Sequence, residues 1–451
     1  MRTQASLLIR LLFTGFVLIL LSGCASYGIV QNTAMPDTKP AKEYSVRSFA
    51  GAENNEDLTM FLSFSGGGTR AAALAYGVML ELRDTNVNIN GKTTRLLDEV
   101  DTISSVSGGS FTSAYYGLHG DGLFETFEDV FLRYDIEKHL VRSTLNPFHW
   151  FSRKGRTERA LEYYNEKIFH GATYADMHQP GRPLIVINAT DLAWGIRFSF
   201  VQDYFDLLCS ELNSFPVARA VTASSAVPVV FNPVAVENYS DCDNVNLDWV
   251  GRLREAADRQ DSMELTNLAD DMESYTDKTR RKYIHFVDGG ITDNMGLRAF
   301  YDVLSANGGS KAFLDRYHRE APSNMVIIAI DASTKKIDEM DTTLKAPSMA
   351  HSMNAVTDVQ LHRYNTATIE LVDDTFKRWA KEVSTPEKTV EPHFIELSFS
   401  HLEKPQVRQF FNKVPTSFSL TDEQVDRLID AGRTLLRENP KFQHLLTRLN
   451  Q

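Results

Sequence analysis

Three glycine-rich segments carry the residues that could do chemistry, and each follows a short apolar run. The first, Gly66–Arg70, reads Gly-Gly-Gly-Thr-Arg and leads into an alanine-rich stretch. Glycines let a backbone approach a ligand closely, and N–H groups at a helix N-terminus stabilise negative charge. The segment therefore indicates either an oxyanion-binding loop or a tight turn. No G-x-x-x-x-G-K-[ST] phosphate loop follows it.

The second segment places Ser107 among small residues, where an apolar run turns into a helical pattern. This arrangement is similar to the nucleophile elbow G-x-S-x-G, whose strained turn projects a serine hydroxyl into a cleft. Ser105 stands where that pattern has its first glycine. The alternative is a serine that caps a helix on a glycine-rich turn.

The third segment, Phe286–Asn294, brings Asp288 from an apolar run to a turn. Asp-Gly is also common in ordinary turns. Two other apolar runs end in acids, Asp191 and Asp331, and their spacing does not rank the three. The two glycines after Asp288 favour it, because an open backbone leaves room for a substrate.

Strands and helices alternate around these segments. Six runs are predicted to be strands: Thr59–Ser65, Asp101–Val106, Leu184–Asp191, Tyr283–Asp288, Met325–Asp331 and Phe394–Phe399. Helical patterns occupy Ala71–Asp84, Gly109–Tyr116 and Leu297–Leu304, and Thr421 is predicted to cap a terminal helix. This alternation predicts an α/β fold with a mostly parallel sheet that binds its ligand at the carboxyl ends of the strands.

Taken together and in this order, the three segments resemble those of the patatin-like phospholipase family. The stretch Ala223–Phe231 is similar to the family's Ala/Ser-rich segment, and the last third of the chain matches no motif. The resemblance covers residues 60 to 297. It implies a three-layer α/β/α fold and hydrolysis of lipid acyl esters by a Ser-Asp dyad, with no histidine, metal or other cofactor.

The resemblance also assigns roles to single residues. Ser107 is the expected nucleophile and Asp288 its base, which the site should desolvate so that its pKa rises. The expected oxyanion donors are the N–H groups of Gly66, Gly67, Gly68 and Gly108. The expected supporting residues are Gly289, Gly290 and Arg70, of which Arg70 would orient the glycine loop or meet a lipid phosphate.

Two other functions stay open at this point. An α/β-hydrolase triad has the order Ser, Asp, His, and five histidines follow the acid: His318, His351, His362, His393 and His401. His285 precedes it, on the opposite face of the predicted strand. The other alternative is a lipoprotein that binds lipid or a partner without catalysis, for which Ser105 is the only sign.

The amino terminus predicts export and lipidation. Residues 1–10 carry two arginines and no acid, and 11–21 form an apolar run of about half the length that a spanning helix needs. Leu21–Cys24 resembles the bacterial lipobox, in which the cysteine is lipidated. Residues 1–23 are therefore predicted to be a signal peptide, and Cys24 an anchor in the bacterial outer membrane facing the periplasm.

The mature chain is predicted to contain a tether and one catalytic domain. Residues 24–57 form the lipidated N-terminus and flexible tether, and 58–451 the hydrolase domain with a C-terminal helical extension. A polar helical insertion at about 240–282 is either a solvated face or a lid. Cys209 and Cys242 can form a disulfide in an oxidising periplasm, the alternative being two reduced thiols.

Composition narrows the class of protein. The chain has 451 residues, 43% of them hydrophobic, which is enough for a sizeable core. Its 47 basic and 59 acidic residues give a formal net charge of −12, and no strongly basic stripe is present. This balance argues against a nucleic-acid partner, and it leaves membrane attachment to the predicted lipid anchor.

Overall fold

The structure is a computed structural model that describes residues 29–38, 42–50, 57–136, 138, 155–228, 230–240, 242–335 and 343–451. The predicted signal peptide and Cys24 lie outside the described residues. Within these residues, no helix combines the length and the apolar character that crossing a membrane requires.

The described elements alternate between strands and helices. The strands are β1 (Thr33–Ala34), β2 (Leu58–Phe64), β3 (Asn86–Ile89), β4 (Lys92–Arg95), β5 (Val100–Val106), β6 (Leu184–Asp191), β7 (Ile196–Ser199), β8 (Ser210–Glu211), β9 (Val234–Glu237), β10 (Tyr283–Asp288), β11 (Asn324–Asp331) and β12 (Glu391–Ser398). The helices are α1 (Val46–Ala50), α2 (Thr69–Asp84), α3 (Gly108–His119), α4 (Leu123–Phe127), α5 (Arg156–Tyr163), α6 (Tyr174–Met177), α7 (Gln202–Leu207), α8 (Val217–Ser224), α9 (Asp248–Gln260), α10 (Met263–Ser274), α11 (Gly290–Asp293), α12 (Arg298–Ala306), α13 (Ser310–Arg316), α14 (Met349–Val383), α15 (Pro405–Lys413), α16 (Asp422–Arg437) and α17 (Pro440–Leu449).

A mixed eight-stranded sheet forms the centre of the molecule, in the order β12-β11-β2-β5-β6-β10-β9, with β7 paired to β6. The strands from β12 to β6 are parallel. Every residue of β6 is buried, as expected for a strand covered on both faces. The predicted α/β/α class is confirmed, and the six predicted strands are present with small differences at their ends.

The direction of β10 differs from the parallel arrangement that the alternation of strands and helices predicts. β10 runs antiparallel to β6, and the pairing spans only Ala189–Asp191 at the carboxyl end of β6. β10 therefore enters from beyond that edge of the sheet. Its last residue, Asp288, pairs with Ala189, while Val106 at the end of β5 pairs with Asn188. An antiparallel strand thus delivers its acid to the level of Ser107.

Part of the predicted tether packs against the domain. β1 pairs with β8, and Tyr44 is fully buried with its hydroxyl accepting a hydrogen bond from the Ile185 N–H at 2.8 Å. The Val46 N–H at the start of α1 donates to the Asp203 carboxylate at 2.9 Å. For residues 29–38 and 42–50 the structure therefore corrects the prediction of a flexible tether, because an aromatic anchor and strand pairing fasten them to the core.

The C-terminal extension is part of the same core. A capping box at Thr421 begins α16, as predicted, and α16 packs along α2. Glycines permit this close approach: a Cβ on Gly77 would lie 2.2 Å from the Ile429 carbonyl oxygen, and one on Gly432 would lie 2.4 Å from that of Leu74. The helix that follows the first glycine segment is therefore held from the far end of the chain.

The polar insertion contains α9 and α10, which pack against each other, and α9 also contacts α12. Arg254 on α9 forms exposed ion pairs with Asp270 and Glu273 on α10, as expected for a solvated face. At the edge of the insertion, Cys209 and Cys242 are joined by a disulfide with a Cα–Cα distance of 5.5 Å.

Candidate active site

Ser107 occupies a strained turn between β5 and α3. Its backbone has φ 50° and ψ −121°, a conformation that costs free energy for any residue with a Cβ and that occurs mainly at functional sites. Gly108 makes the turn possible, because a Cβ there would lie 2.0 Å from the carbonyl oxygen of Gly68. The serine turn and the glycine segment are therefore in direct contact.

The side chains of Ser107 and Asp288 meet in the buried space at this edge of the sheet. The Ser107 hydroxyl donates to Asp288 Oδ2 at 2.8 Å, and the Gly290 N–H donates to Asp288 Oδ1 at 2.8 Å. Ser107 is 4% exposed and Asp288 is 8% exposed. A serine that is hydrogen-bonded to a carboxylate held in place by a backbone amide has the geometry for direct proton transfer.

Burial shifts the acid-base properties of Asp288. Desolvation raises its pKa to about 6, against the hydrogen bonds from Gly290 and Ser107, which lower it. Among the described residues, no lysine or arginine forms an ion pair with this carboxylate. Asp288 is therefore ionised at neutral pH, yet it is a stronger base than an ordinary aspartate.

Residues 224–226 hold both halves of the pair in place. The Ser107 N–H donates to Ser224 Oγ at 2.8 Å, and that hydroxyl donates to the Asn188 carbonyl oxygen at 2.6 Å. On the other side, the Asp288 N–H donates to the Ala226 carbonyl oxygen at 3.0 Å. The sequence marks this Ala/Ser-rich stretch only by its family resemblance, because partners so distant in the chain leave no local pattern.

The glycine segment offers fewer free donors than the sequence predicts. The Gly66 N–H donates to the Asn294 carbonyl oxygen at 3.0 Å, so its predicted role as an oxyanion donor is wrong. Within the described part of the chain, the N–H groups of Gly67, Gly68 and Gly108 donate to no other residue. Gly67 and Gly68 adopt φ values of 142° and 62°, which glycine tolerates, and three amides thus remain available beside Ser107.

Arg70 is a buried structural residue. Its guanidinium donates to the carbonyl oxygens of Ala332 at 2.8 Å and Val414 at 2.7 Å, and to the Thr416 hydroxyl at 3.0 Å. Burial lowers its pKa to about 10, which still leaves it charged at neutral pH. Of the two predicted roles, the structure supports orientation of the glycine loop. The guanidinium is buried and hydrogen-bonded within the protein, so it is not available to a lipid phosphate.

The other strand-end acids have structural partners. Asp191 forms a buried ion pair with Arg281 and accepts a hydrogen bond from the Tyr275 hydroxyl at 3.1 Å. Asp331 accepts from the Ser333 N–H at 2.8 Å. Of the three acids that spacing could not rank, Asp288 is the one that contacts Ser107.

Two of the histidines that could complete a Ser-His-Asp triad contact residues outside the Ser107–Asp288 pair. His362 Nε2 lies 3.1 Å from the Thr334 carbonyl oxygen, and His393 Nε2 lies 3.2 Å from Asn324 Oδ1. In the described residues, no histidine is hydrogen-bonded to Ser107 or Asp288, which disfavours the Ser-His-Asp alternative. The same residues contain no group of three His, Cys, Asp or Glu side chains placed to hold a metal ion.

This site joins a Ser-Asp pair to a glycine-rich loop at the carboxyl edge of an α/β/α sheet, an arrangement suited to acyl transfer through a serine. The family model described as patatin-like phospholipase matches residues 62–301, just over half of the chain. The chain therefore belongs to the patatin-like phospholipase family and is, by class, a lipid-hydrolysing esterase.

Comparison with solved structures finds distant likenesses. Human GIVD cytosolic phospholipase A2 in complex with methyl gamma-linolenyl fluorophosphonate has a TM-score of 0.40 at 12% identity, covering 94% of this chain and 69% of that one. Its complex with the same inhibitor and terbium chloride has a TM-score of 0.37 at 13% identity, covering 89% and 61%. No curated protein matches the chain significantly. The family assignment therefore rests on the family model.

Proposed function

We propose that this chain is a membrane-anchored serine acyl hydrolase of the phospholipase A type, which cleaves carboxylic ester bonds of lipids through Ser107 and Asp288. The observation that carries the proposal is the 2.8 Å hydrogen bond from the Ser107 hydroxyl to a buried carboxylate that has no cationic partner in the described part of the chain. Such a carboxylate can accept the serine proton without a histidine.

In the first half of the reaction, Ser107 Oγ attacks the carbonyl carbon of the ester while its proton passes to Asp288. The oxyanion that forms accepts hydrogen bonds from the amides of Gly67, Gly68 and Gly108. One such donor contributes roughly 3 to 4 kcal/mol in the transition state of other hydrolases. Protonated Asp288 then gives its proton to the departing alkoxide, and the acyl group remains on Ser107.

In the second half, a water molecule takes the place of the departed alcohol. Asp288 accepts one of its protons as the water oxygen attacks the acyl carbon, and the same amides stabilise the second oxyanion. The proton returns to Ser107 Oγ as the acyl bond breaks. The products are a free fatty acid and regenerated enzyme.

Exposed apolar side chains near the pair support a lipid substrate. Val227 and Val230 follow the segment that binds the Asp288 backbone, and Ile291 follows Gly290. They are 38%, 50% and 49% exposed, respectively. Large apolar groups next to a polar reaction centre suit an acyl chain better than a hydrophilic ester.

The proposed location is the outer membrane of a bacterium, with Cys24 lipidated and the domain facing the periplasm. The lipobox-like residues Leu21–Cys24 support this location. The disulfide between Cys209 and Cys242 suits an oxidising compartment. Replacing Cys24 by Ala should move the protein from the membrane fraction to the soluble fraction and abolish incorporation of labelled palmitate. Unchanged labelling would contradict the anchor.

Lipid analysis tests the proposed reaction. Purified protein incubated with mixed bacterial phospholipids should release fatty acid together with lysolipid, and Ser107→Ala should abolish both products. Ser113→Ala is the matched control: Ser113 is a buried serine on α3 whose hydroxyl contacts Ser105 rather than the pair. Wild-type turnover by a folded Ser107→Ala protein would overturn the assignment.

A further inference from the structure

A cavity lies against the central sheet, towards the end of its strands opposite to Ser107 and Asp288. Its volume is about 110 Å³, and side chains from three strands form its floor: Thr59, Phe61, Leu184, Val186 and Met325. Thr59 pairs with Met325, so these two side chains project from the same face of the sheet.

Apolar side chains also form the other walls of this cavity. Phe300 and Val303 come from α12, Phe313 from α13, and Phe49 from α1. The rings of Phe61 and Phe300 pack with their centroids 4.9 Å apart across the space between sheet and helix. Such walls offer little to a polar ligand and suit an unbranched alkyl chain.

One charged group at the cavity has no partner among the described residues. The half-buried Arg319 lines the cavity, and its guanidinium makes no hydrogen bond or ion pair within the described chain. The other charged side chains of the wall are engaged: Arg197 is paired with Asp302, and Asp101 accepts from the Met60 N–H at 2.8 Å. A guanidinium next to an apolar cavity is complementary to a carboxylate with an alkyl tail.

We infer that this cavity binds a free medium-chain fatty acid, with the alkyl chain between the sheet and α12 and the carboxylate on Arg319. The cavity is separate from the catalytic pair. At a rise of about 3.3 Å per residue, Gly66 lies roughly 20 Å beyond Thr59 along the chain. Between these levels, Ser63 and Ser104 donate to the carbonyl oxygens of Met295 and Gly296 and so close the sheet face.

Titration calorimetry with decanoate at pH 8 tests the inference. The full chain carries Ser107→Ala, so that binding is measured without any hydrolysis and does not depend on the proposed function. We expect saturable binding of one decanoate per chain. Arg319→Gln should weaken it about tenfold or more, because a charge-assisted hydrogen bond is lost.

Two further measurements separate the carboxylate contact from the alkyl contact. Decanol, which has no carboxylate, should bind equally to Arg319→Gln and to the parent protein. Val303→Trp should fill the cavity and abolish binding of both ligands. Arg316→Gln is the matched control, since Arg316 is an exposed arginine that does not line the cavity.

The inference is overturned if decanoate fails to saturate, or if folded Arg319→Gln binds decanoate as tightly as Arg316→Gln does. Because Arg319 has no partner in the described chain, its replacement should leave the thermal unfolding midpoint unchanged. If Val303→Trp failed to fold, only the test by filling the cavity would be lost. The comparison of Arg319→Gln with Arg316→Gln would still decide the outcome.

Discussion

Two buried aspartates lie on neighbouring strands and have opposite environments. Asp191, at the end of β6, is neutralised by Arg281 and receives a hydrogen bond from Tyr275. Asp288, at the end of β10, has only neutral donors among the described residues, the Ser107 hydroxyl and the Gly290 N–H. The contrast distinguishes a structural carboxylate from a reactive one: both are buried, but of the two only Asp191 has a cationic partner among the described residues.

Replacing Asp288 by Asn should have the largest effect. Turnover of a p-nitrophenyl ester should fall about 10⁴-fold, because the amide cannot accept the serine proton. The free energy of unfolding, by contrast, should increase. The folded-state pKa of Asp288, about 6, lies above its ordinary value of 3.8, so ionisation costs the folded state free energy as pH rises through 6. Denaturant unfolding at pH 8 should therefore show Asp288→Asn to be more stable by on the order of 1 to 3 kcal/mol. An inactive and destabilised variant would contradict this account of the site.

Replacing Asp191 by Asn should have the reverse outcome. Arg281 would keep its charge in a buried position without a counter-ion, which costs roughly 3 to 5 kcal/mol of unfolding free energy. Turnover per folded molecule should stay near the wild-type value, because Asp191 does not contact Ser107. The double variant Asp191→Leu/Arg281→Met removes both charges and should regain most of the lost stability. If Asp191→Asn lost turnover without losing stability, the distinction between the two acids would fail.

Replacing Ser224 by Ala should have a smaller effect on catalysis. The buried Ser107 N–H would lose its acceptor, and the strained turn would no longer be tied to β6. We expect kcat to fall about 10- to 100-fold with little change in KM, since a misplaced nucleophile affects the reaction more than binding. Ser225→Ala is the control, because Ser225 is buried next to Ser224 but its hydroxyl donates to the Val221 carbonyl oxygen on α8. Equal kcat values for the two variants would exclude a positioning role for Ser224.

Local patterns were enough to predict the ends of the strands and the residues that meet there. Each short apolar run is a strand in the structure. Ser107 follows one such run directly, and Asp288 is the last residue of another. The glycines beside them also act locally, by allowing a strained turn at Ser107 and an amide contact at Asp288. These features depend on neighbouring residues, and for that reason the sequence alone could predict them.

Pairings between distant parts of the chain could not be predicted in the same way. The sequence predicted that the Gly66 N–H would be available to the oxyanion. In the structure it donates to the carbonyl oxygen of Asn294, which is distant in the sequence. The direction of β10 depends on its register with β6, and apolar composition does not encode direction. Tyr44 lies in a polar stretch that resembles a tether, and only the folded sheet shows the space that its ring fills.

The pH dependence of catalysis tests whether the acid that titrates is Asp288 or another buried aspartate. Asp288 must be ionised to accept the serine proton, so kcat/KM should be level above pH 6 and fall about tenfold per pH unit well below it. Asp293, the last residue of α11, is a second buried acid, and burial likewise raises its pKa to about 6. Its carboxylate accepts from the Arg298 N–H at 2.9 Å, however, and does not contact Ser107. Asp293→Asn should therefore keep the acidic limb near pH 6. If the fall in kcat/KM below pH 6 disappeared in Asp293→Asn, the titration would belong to Asp293 and not to Asp288. The raised pKa of Asp288 would then have no part in the mechanism.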